Sequence, residues 1–401
     1  MSRPAGDGSD PGWGALRGIR VVDLTAALAG PFCTQLLADH GAEVIKVEPP
    51  GGDMMRVNPA MFEACNRNKL SIALDLKDPA GRETLLRLSD TADVIVENYR
   101  AGVMERLGLP YERFSARNPR LVYAAIRGFG DPRTGASPYV DRPCFDIVAQ
   151  AMGGLASVTG SPDRGPTPVG IGVGDIYPGT LAAFGIMAAL HEARSSGRGQ
   201  FLDVAMVDAV LALCEQIVTQ LAVDGVTIRP AGQRHPLLTP FGVFAARDGW
   251  VALAADQQRA FERLCDAMGR VDLIADARFG DPRSRWRHRD ELYPVVEAFV
   301  ASHTRSELDA LLGGRVPFGP VYDAGQIIDD AHFRARDMLC ELPRDEGEES
   351  LVVAGVPIKL DRTPGGVHRR APSLDEHRGL LPRWLATAAG SQSRTQDADV
   401  G

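Results

Sequence analysis

The sequence predicts an α/β fold built on a Rossmann-like parallel sheet, with a smaller α+β domain attached. In the first half of the chain, short apolar runs alternate with segments of helical periodicity, an order typical of parallel sheets covered by helices. At 401 residues the chain exceeds the size at which one hydrophobic core keeps growing, so two domains are expected. The strand-like runs are IRVVDLT (19–25), EVIKVEP (43–49), SIALDL (71–76), DVIVEN (93–98) and LVYAAIRGFG (121–130).

Helical segments connect these runs. Helical patterns cover 31–40 and 79–90. A longer helix is predicted over 178–194, because Pro178 suits a first helical turn and SSGRG supplies a stop. Its apolar residues lie on nearly all sides, so it should be buried. The run FLDVAMVDAVLAL (201–213) predicts a strand that continues into a helix.

The sequence changes character after a loop at 224–236. One hairpin, FGVFAARDGWVALAA, is followed by helical stretches rich in Arg and Asp, and strand-like pieces such as SLVVAGVPIKL return later. The polar composition of the last residues is typical of disorder. The predicted divisions are a large domain at 1–224, a small domain at 225–320, a return to the large domain at 321–387 and a disordered tail at 388–401.

Composition excludes several classes of protein. Apolar residues make up 44% and charged residues 24%, and no segment approaches the roughly 20 apolar residues of a membrane span. The start of the chain has no basic stretch followed by an apolar core, so we predict no secretory signal and a cytoplasmic location. The formal net charge of -8 argues against general nucleic-acid binding.

The motifs of metal sites, disulfide frameworks and serine hydrolases are missing from the sequence. No HxxxH or HExxH pair and no GxSxG elbow occurs, so neither metal catalysis nor a serine nucleophile is expected. The cysteines show no CxxC spacing and are interpreted as small buried apolar residues. They are Cys33, Cys65, Cys144, Cys214, Cys265 and Cys340.

The first strand, the turn after it and the next helix resemble a dinucleotide site, with Glu48 at the end of the second strand. The GxGxxG spacing of such sites is missing, however, and GIGVGD at 170–175 does not close a βαβ unit. A bound NAD or FAD is therefore disfavoured. A nucleotide-like ligand could still bind at the carboxyl edge of the sheet.

The most informative stretch is PVGIGVGDIYPGTLAAFGIMAAL, in which Asp175 follows several glycines and precedes a buried helix. One interpretation is a helix cap, which Asp commonly supplies. Pro178 favours another interpretation, because a first-turn proline places the cap near Tyr177. Asp175 would then project ahead of the positive end of the helix.

Eight segments together resemble the class III CoA-transferases, the CaiB/BaiF family that includes formyl-CoA and carnitine CoA-transferases. The resemblance spans nearly the whole chain in order. The segments are LRGIRVVDLTAALAGPFCTQLLADHGAEVIKVEPPGGD, NRNKLSIALDL, ENYRAGVMERLGL, RLVYAAIRGFG, VGDIYPGTLAAFGIMAAL, GRGQFLDVAMVDA, VPFGPV and VPIKL.

This resemblance implies a mechanism and a set of site residues. Asp175 would attack the thioester of an acyl-CoA, and CoA thioesters would be substrates rather than permanent cofactors. No metal or ATP is needed, because each step exchanges one activated acyl bond for another. The CoA-binding positions implied by the resemblance are Lys69, Asn98, Tyr99, Arg100, Arg106 and Arg127, with Lys69 and Arg127 near the phosphates.

The resemblance also implies an interlocked homodimer and leaves details of the site open. Glycines at 170, 172 and 174 would let backbone N–H groups face a developing oxyanion. Arg234 and His235 would suit a dicarboxylate acceptor such as succinate or mesaconate, although structural roles are equally open.

Two other functions remain as alternatives. Racemases of α-methyl-branched acyl-CoA share this fold, but they need acid-base groups on both faces of the α-carbon. Their histidine aligns with Phe145, which cannot take a proton, although Asp146 or Asp175 could serve as one base. The second alternative is a non-catalytic acyl-CoA-binding protein, because a fold alone does not establish function. Phe145 favours transfer over racemisation, and the presence of Asp175 after its glycines favours transfer over binding alone.

Overall fold

The structure is a computed structural model that describes residues 12–342 and 350–391. Its strands are β1 (Arg20–Asp23), β2 (Glu43–Glu48), β3 (Leu70–Ala73), β4 (Val94–Glu97), β5 (Val122–Arg127), β6 (Gly160–Ser161), β7 (Gly165–Pro166), β8 (Phe201–Ala205), β9 (Phe241–Ala246), β10 (Gly249–Ala254), β11 (Phe318–Pro320), β12 (Leu339–Leu342) and β13 (Leu351–Ala354).

The helices complete the secondary structure, together with short 3₁₀ turns at Met54–Val57 and Arg378–Leu380. They are α1 (Ala29–Asp39), α2 (Pro59–Asn66), α3 (Pro79–Ser89), α4 (Val103–Arg106), α5 (Tyr111–Arg117), α6 (Asp146–Met152), α7 (Leu155–Val158), α8 (Val173–Ser196), α9 (Met206–Leu213), α10 (Glu215–Asp224), α11 (Gln258–Met268), α12 (Asp272–Ala275), α13 (Pro282–Arg287), α14 (Arg289–Ala301), α15 (Arg305–Leu312), α16 (Ala324–Asp329), α17 (Ala331–Ala335) and α18 (Leu381–Ser391).

The chain divides into two compact units. Unit 1 comprises Met1–Gly153, Gly170–Cys214 and Ala331–Gly401, and unit 2 comprises Gly154–Val169 and Glu215–Asp330. Residues 215–224 and 321–330, which are predicted to belong to the large domain, lie in unit 2. Residues 154–169 are also predicted to belong to the large domain and lie in unit 2. One reason is a backbone hydrogen bond, in which the Gly232 N–H donates to the Gly160 carbonyl at 2.8 Å.

Unit 1 is built on a six-stranded sheet with the order β3-β2-β1-β4-β5-β8, in which every neighbouring pair is parallel. The predicted parallel sheet is thereby confirmed. Strands β1, β2, β4 and β5 are buried along their whole length, which explains their continuous apolar runs. The strand order reverses between β1 and β4. In open α/β sheets, ligands bind at the carboxyl edge at such a reversal.

Helix α8 is the long apolar helix of unit 1, and it packs against α1. The two helices approach closely at Gly179, where an added Cβ would lie 2.5 Å from the Ala29 carbonyl oxygen. By length and composition α8 could cross a membrane, a property that core helices of globular proteins share.

The helix α8 begins five residues before the predicted start, so Asp175 lies within its first turn and Pro178 lies inside it. The prediction that Asp175 projects ahead of the helix is wrong. Gly172, at the N-cap, supplies no side-chain cap, and the Gly174 N–H instead donates to Asp146 Oδ1 at 2.7 Å. A partner from α6 therefore extends the helix beyond the point that proline suggests.

A returning segment of the chain covers the edge strand β3. The Ser71 N–H donates to His377 Nδ1 at 3.2 Å, and the His377 N–H donates to the Ser71 carbonyl at 2.9 Å. Farther along the strand, the Ala73 N–H donates to Asp375 Oδ1 at 2.8 Å. These contacts satisfy backbone groups that an open edge would expose to pairing with another chain.

The chain then ends its described part in α18, whose Trp384 is fully buried and donates from Nε1 to Glu43 Oε1 at 3.1 Å. The backbone is helical through Ser391, so 388–391 of the predicted disordered tail are helical. Residues 392–401 of that tail lie outside the described residues.

Unit 2 contains an antiparallel sheet with the order β11-β10-β9. The predicted hairpin is present, with Gly249 opposite Ala246 at its turn. Helices α11, α14 and α15 supply apolar side chains to one core with this sheet. Arg285 is buried beside that core, where it stacks on Phe261 and donates to three oxygen atoms.

Candidate active site

The loops after β1 and β4 are joined side by side at the carboxyl edge of the sheet. Asn98 makes this junction, because its Oδ1 accepts from the Ala26 N–H at 2.9 Å and its Nδ2 donates to the Ala26 carbonyl at 2.7 Å. The two loops flank the position where the strand order reverses. Asn98 therefore fixes the backbone of the place where this fold class binds ligands.

Asp175 lies against the first of these loops. A Cβ added at Gly172 would lie 2.5 Å from Leu28 Cδ2, so the turn that carries Asp175 touches the residue that precedes α1. The Asp175 side chain is half-buried. A carboxylate at this position is accessible to a ligand and partly withdrawn from water.

Asp146 is the acidic neighbour of Asp175. Its Oδ1 accepts the Gly174 N–H at 2.7 Å, and Gln150 Nε2 donates to both of its oxygens at 3.1 and 2.9 Å. Burial and then the negative charge of Asp146 raise the pKa of Asp175 to about 7. Burial and the charges of the same two carboxylates raise the pKa of the Cys144 thiol to about 11, so this thiol is neutral.

The hydrogen bond to Asp146 changes one expectation about the glycines. The Gly174 N–H is already donated within the protein, so it is not free to face an oxyanion. Gly174 is needed for a different reason. An added Cβ would lie 2.7 Å from the Asp146 carbonyl oxygen and 3.0 Å from its Oδ1, so only glycine permits this approach.

Tyr99, Arg100 and Arg106 lie in the segment that follows β4 and Asn98, after the carboxyl end of that strand. Tyr99 is half-buried against the core, and its N–H donates to Glu97 Oε2 at 2.8 Å. Arg100 and Arg106 are exposed, on the loop after β4 and at the end of α4. Their guanidinium groups are accessible to a phosphorylated ligand.

Lys69 does not fit the predicted position near the phosphates. Its side chain is completely buried, and Nζ donates at 2.9 Å to Asp23 Oδ2, the Pro31 carbonyl and Asn66 Oδ1. All three of its N–H groups are thus used inside unit 1. Burial raises the pKa of Asp23, but the charges of Lys69 and Lys46 and the hydrogen bonds from Thr25 and Thr34 together lower it to about 2. Lys69 neutralises a buried carboxylate.

Arg127 likewise pairs with acidic residues inside the fold. It is buried, it donates to Glu97 Oε1 at 2.5 Å, and it pairs with Asp131. Burial raises the pKa of Glu97 to about 7 in spite of the opposing charge of Arg127. The prediction of a phosphate contact is therefore not supported for Arg127.

Glu48 cannot act as the ribose-binding acid of a dinucleotide site. It is buried, Oε1 accepts from Ser71 Oγ at 2.6 Å, and Arg56 donates to both carboxylate oxygens at 2.7 Å. The Asp53 N–H adds a further bond at 3.0 Å. Glu48 thus stabilises the edge of the sheet.

Among the residues described, no group of three or more His, Cys, Asp and Glu side chains could hold a metal ion.

The two basic residues considered for the acceptor have structural partners in unit 2. Arg234 stacks on Tyr293, with its guanidinium carbon 4.1 Å from the ring centre, and it donates to Glu297 at 2.8 Å. His235 Nδ1 accepts from the N–H groups of Leu237 and Leu238, both at 3.1 Å. Burial lowers the pKa of His235, which favours the neutral ring that can accept these bonds.

Asp146 is the residue whose relation to Asp175 the sequence did not indicate. From the sequence, Asp146 is expected only as a candidate base in racemisation. Twenty-eight positions separate it from Gly174, and no local pattern connects the two.

The fold is an α/β fold with a parallel sheet whose strand order reverses, and the turn that carries Asp175 lies against the loop at that reversal. Comparison with known proteins identifies the family. Residues 16–378 match the model of CoA-transferase family III, and the chain belongs to that family. It is a class III CoA-transferase, as the sequence predicted.

Two relatives and one solved structure illustrate the match. The chain is 45% identical to succinyl-CoA:mesaconate CoA-transferase of Haloarcula hispanica, over 96% of this chain and 100% of that protein. It is 38% identical to succinyl-CoA–D-citramalate CoA-transferase of Chloroflexus aurantiacus, over 90% and 91%. The crystal structure of a CaiB/BaiF family protein from Brucella suis superposes with a TM-score of 0.82 at 33% identity, covering 93% of this chain and all of that one.

Proposed function

We propose that this enzyme moves CoA from succinyl-CoA to a second dicarboxylic acid such as mesaconate, with Asp175 as the covalent nucleophile. The observation that carries the proposal is the half-buried Asp175 carboxylate beside the loop after β1. The two relatives named above use succinyl-CoA with mesaconate and with D-citramalate, and both acceptors are dicarboxylic acids.

The first half of the reaction exchanges the donor acid for the enzyme. An Asp175 oxygen attacks the thioester carbonyl carbon, the C–S bond breaks, and CoA leaves as a thiolate. A mixed anhydride of Asp175 and succinate remains. The thiolate then attacks the Asp175 carbonyl carbon of this anhydride. Succinate leaves as a carboxylate, and an aspartyl-CoA thioester is formed.

The second half repeats these steps with the acceptor. The acceptor carboxylate attacks the aspartyl-CoA thioester, the thiolate leaves, and a second anhydride forms. The thiolate attacks the acceptor side of this anhydride, which gives the new acyl-CoA and regenerates the Asp175 carboxylate. Every intermediate can be hydrolysed, so the site must exclude water. The partial burial of Asp175 supports such exclusion.

The surroundings of Asp175 do not favour racemisation. Phe145 directly precedes α6, its side chain is 60% exposed, and its ring cannot exchange a proton. The Asp146 carboxylate that follows it is engaged by Gly174 and Gln150. A proton-transferring pair on opposite faces of a substrate carbon would need another base.

A substrate panel tests the proposal. Purified enzyme is incubated with succinyl-CoA and, separately, with mesaconate, citramalate, glutarate, oxalate and acetate, and the acyl-CoA products are separated by chromatography. We expect transfer to dicarboxylic acids, with mesaconate or citramalate preferred. Asp175→Asn should reduce the rate by at least roughly a thousandfold, because the amide is a poor nucleophile. Asp163→Asn, which neutralises an exposed carboxylate in unit 2, is the control.

Retention of a rate within about tenfold of wild type in Asp175→Asn would contradict the nucleophile. Transfer confined to monocarboxylic acids would contradict the substrate class and leave the nucleophile untouched.

A further inference from the structure

We propose that Asp146 is a positioning residue that holds the turn carrying Asp175 and, by its negative charge, favours the covalently modified form of Asp175. This inference rests on the proposed function of Asp175 as nucleophile.

The positioning part follows from a clamp between α6 and the start of α8. Asp146 Oδ1 accepts the Gly174 N–H at 2.7 Å, in place of a cap that the N-cap glycine lacks. Gln150, one turn later on α6, fixes the Asp146 carboxylate through both of its oxygens. The glycine at 174 permits the contact, because a Cβ there would collide with Asp146. The direction of the Asp175 side chain thus depends on a residue of another helix.

The electrostatic part follows from the change of charge during the reaction. Free Asp175 is negative when it is ready to attack, and its neighbour Asp146 is a second carboxylate whose charge is stabilised by the N–H groups of Gly174 and Gln150. When Asp175 forms an anhydride or a thioester, its carboxylate charge is lost and the negative charge leaves on the CoA thiolate or the released acid. The repulsion between the two carboxylates exists before this step and disappears after it.

The like charge therefore raises the free energy of free Asp175 relative to the acylated enzyme. It also makes the carboxylate a stronger base, which is consistent with a pKa of about 7 for Asp175. Among the residues that the structure describes, the Cys144 thiol also interacts with both carboxylates, and burial together with their charges keeps it neutral. The pH response of Asp175 is thus assigned to burial and to Asp146.

Asp146→Asn separates charge from shape. Asparagine keeps an oxygen that can accept the Gly174 N–H, but it carries no charge. Asp146→Ala removes both the charge and the hydrogen bond. Asp163→Asn, which removes an exposed charge in unit 2, is the matched control. Circular dichroism and thermal unfolding establish that each variant is folded before it is compared.

The first readout does not require activity. The Asp175 carboxyl is followed by ¹³C NMR in protein labelled at aspartate, with its resonance assigned by its loss in Asp175→Asn. We expect the titration midpoint to fall by about one pH unit in Asp146→Asn and in Asp146→Ala. The midpoint in Asp163→Asn should equal that of wild type. An unchanged midpoint in Asp146→Asn would overturn the electrostatic part, whether or not the enzyme transfers CoA.

The second readout is the fraction of enzyme that carries a covalent adduct at a fixed ratio of succinyl-CoA to succinate, measured by mass spectrometry after rapid quenching. At low occupancy and at about pH 8.5, where Asp175 is ionised in both proteins, Asp146→Asn should lower this fraction by about tenfold, in line with a one-unit change in pKa. Asp146→Ala should have a lower kcat than Asp146→Asn, because the turn that carries Asp175 loses the hydrogen bond from the Gly174 N–H. An adduct fraction equal to wild type in both variants would overturn the inference. Absence of any adduct in wild type would instead contradict the proposed function.

Discussion

Buried charge is what decides the role of an individual basic residue in this protein. Arg127 is the last residue of β5 on the ligand-binding edge, whereas Lys69 directly precedes the first residue of β3. Both side chains point into acidic partners. Arg100 and Arg106 lie on the same edge and are exposed. All four side chains carry a positive charge. The two buried side chains neutralise carboxylates inside the fold, and the two exposed ones are accessible to a ligand. Local sequence does not show how deeply a side chain is buried.

A prediction at the residue scale follows for Lys69. Lys69→Ala should destabilise the protein by roughly 3–5 kcal/mol, because it leaves the buried Asp23 carboxylate without its partner. Lys77→Ala, in an exposed position on the next segment, should change stability by less than about 0.5 kcal/mol. Urea unfolding at a fixed protein concentration measures both. A Lys69→Ala protein as stable as wild type but with weakened CoA binding would restore the phosphate role.

At the scale of elements, local patterns predicted the parts that depend on local physics. The apolar runs of the central strands could be predicted because burial on both faces leaves a continuous apolar signal. The start of α8 could not be read, because the group that satisfies its first turn comes from Asp146 on another helix. The usual rule for proline placed the start at Pro178.

The segment that covers β3 could not be predicted from local sequence either. Its partners, Asp375 and His377, lie about three hundred residues along the chain from Ser71 and Ala73, which the sequence separations of 302 and 306 in their hydrogen bonds record. No pattern in SIALDL distinguishes an edge strand from a central one. The resemblance to a family indicated that the C-terminal segment returns to the large domain, but not which strand it covers.

At the scale of the whole molecule, unit 1 exposes a group of large apolar side chains, which is typical of a surface that another protein chain covers. Helices α6, α8 and α9 pack on one another, and each leaves large apolar side chains in contact with solvent. Phe184 is 73% exposed in the middle of α8. Patches of this kind mark interfaces between protein chains. The exposed members are Ile147, Met152, Phe184, Met187, Leu211 and Leu213.

We propose that a second copy of the chain covers this surface in the interlocked homodimer that the family resemblance implies. Light scattering should give the mass of a dimer at micromolar concentration, and dissociation should not precede unfolding, since an interlocked interface far exceeds the standard size. Phe184→Glu should yield aggregated or poorly folded protein, whereas Val271→Glu, at an exposed apolar residue of unit 2, should remain dimeric. A stable, folded monomer of the wild-type chain would contradict the proposal.

If Asp175 is the nucleophile, it becomes covalently modified during transfer, and mapping of the adduct by mass spectrometry shows which residue carries it. The enzyme is incubated with succinyl-CoA, quenched in acid, digested and analysed by mass spectrometry. We expect a mass increase equal to a succinyl or CoA group on the peptide that contains Asp175, lost when the acceptor dicarboxylic acid is added before quenching and absent from Asp175→Asn. Active transfer of CoA with Asp175 unmodified, or with the adduct on another residue, would contradict it.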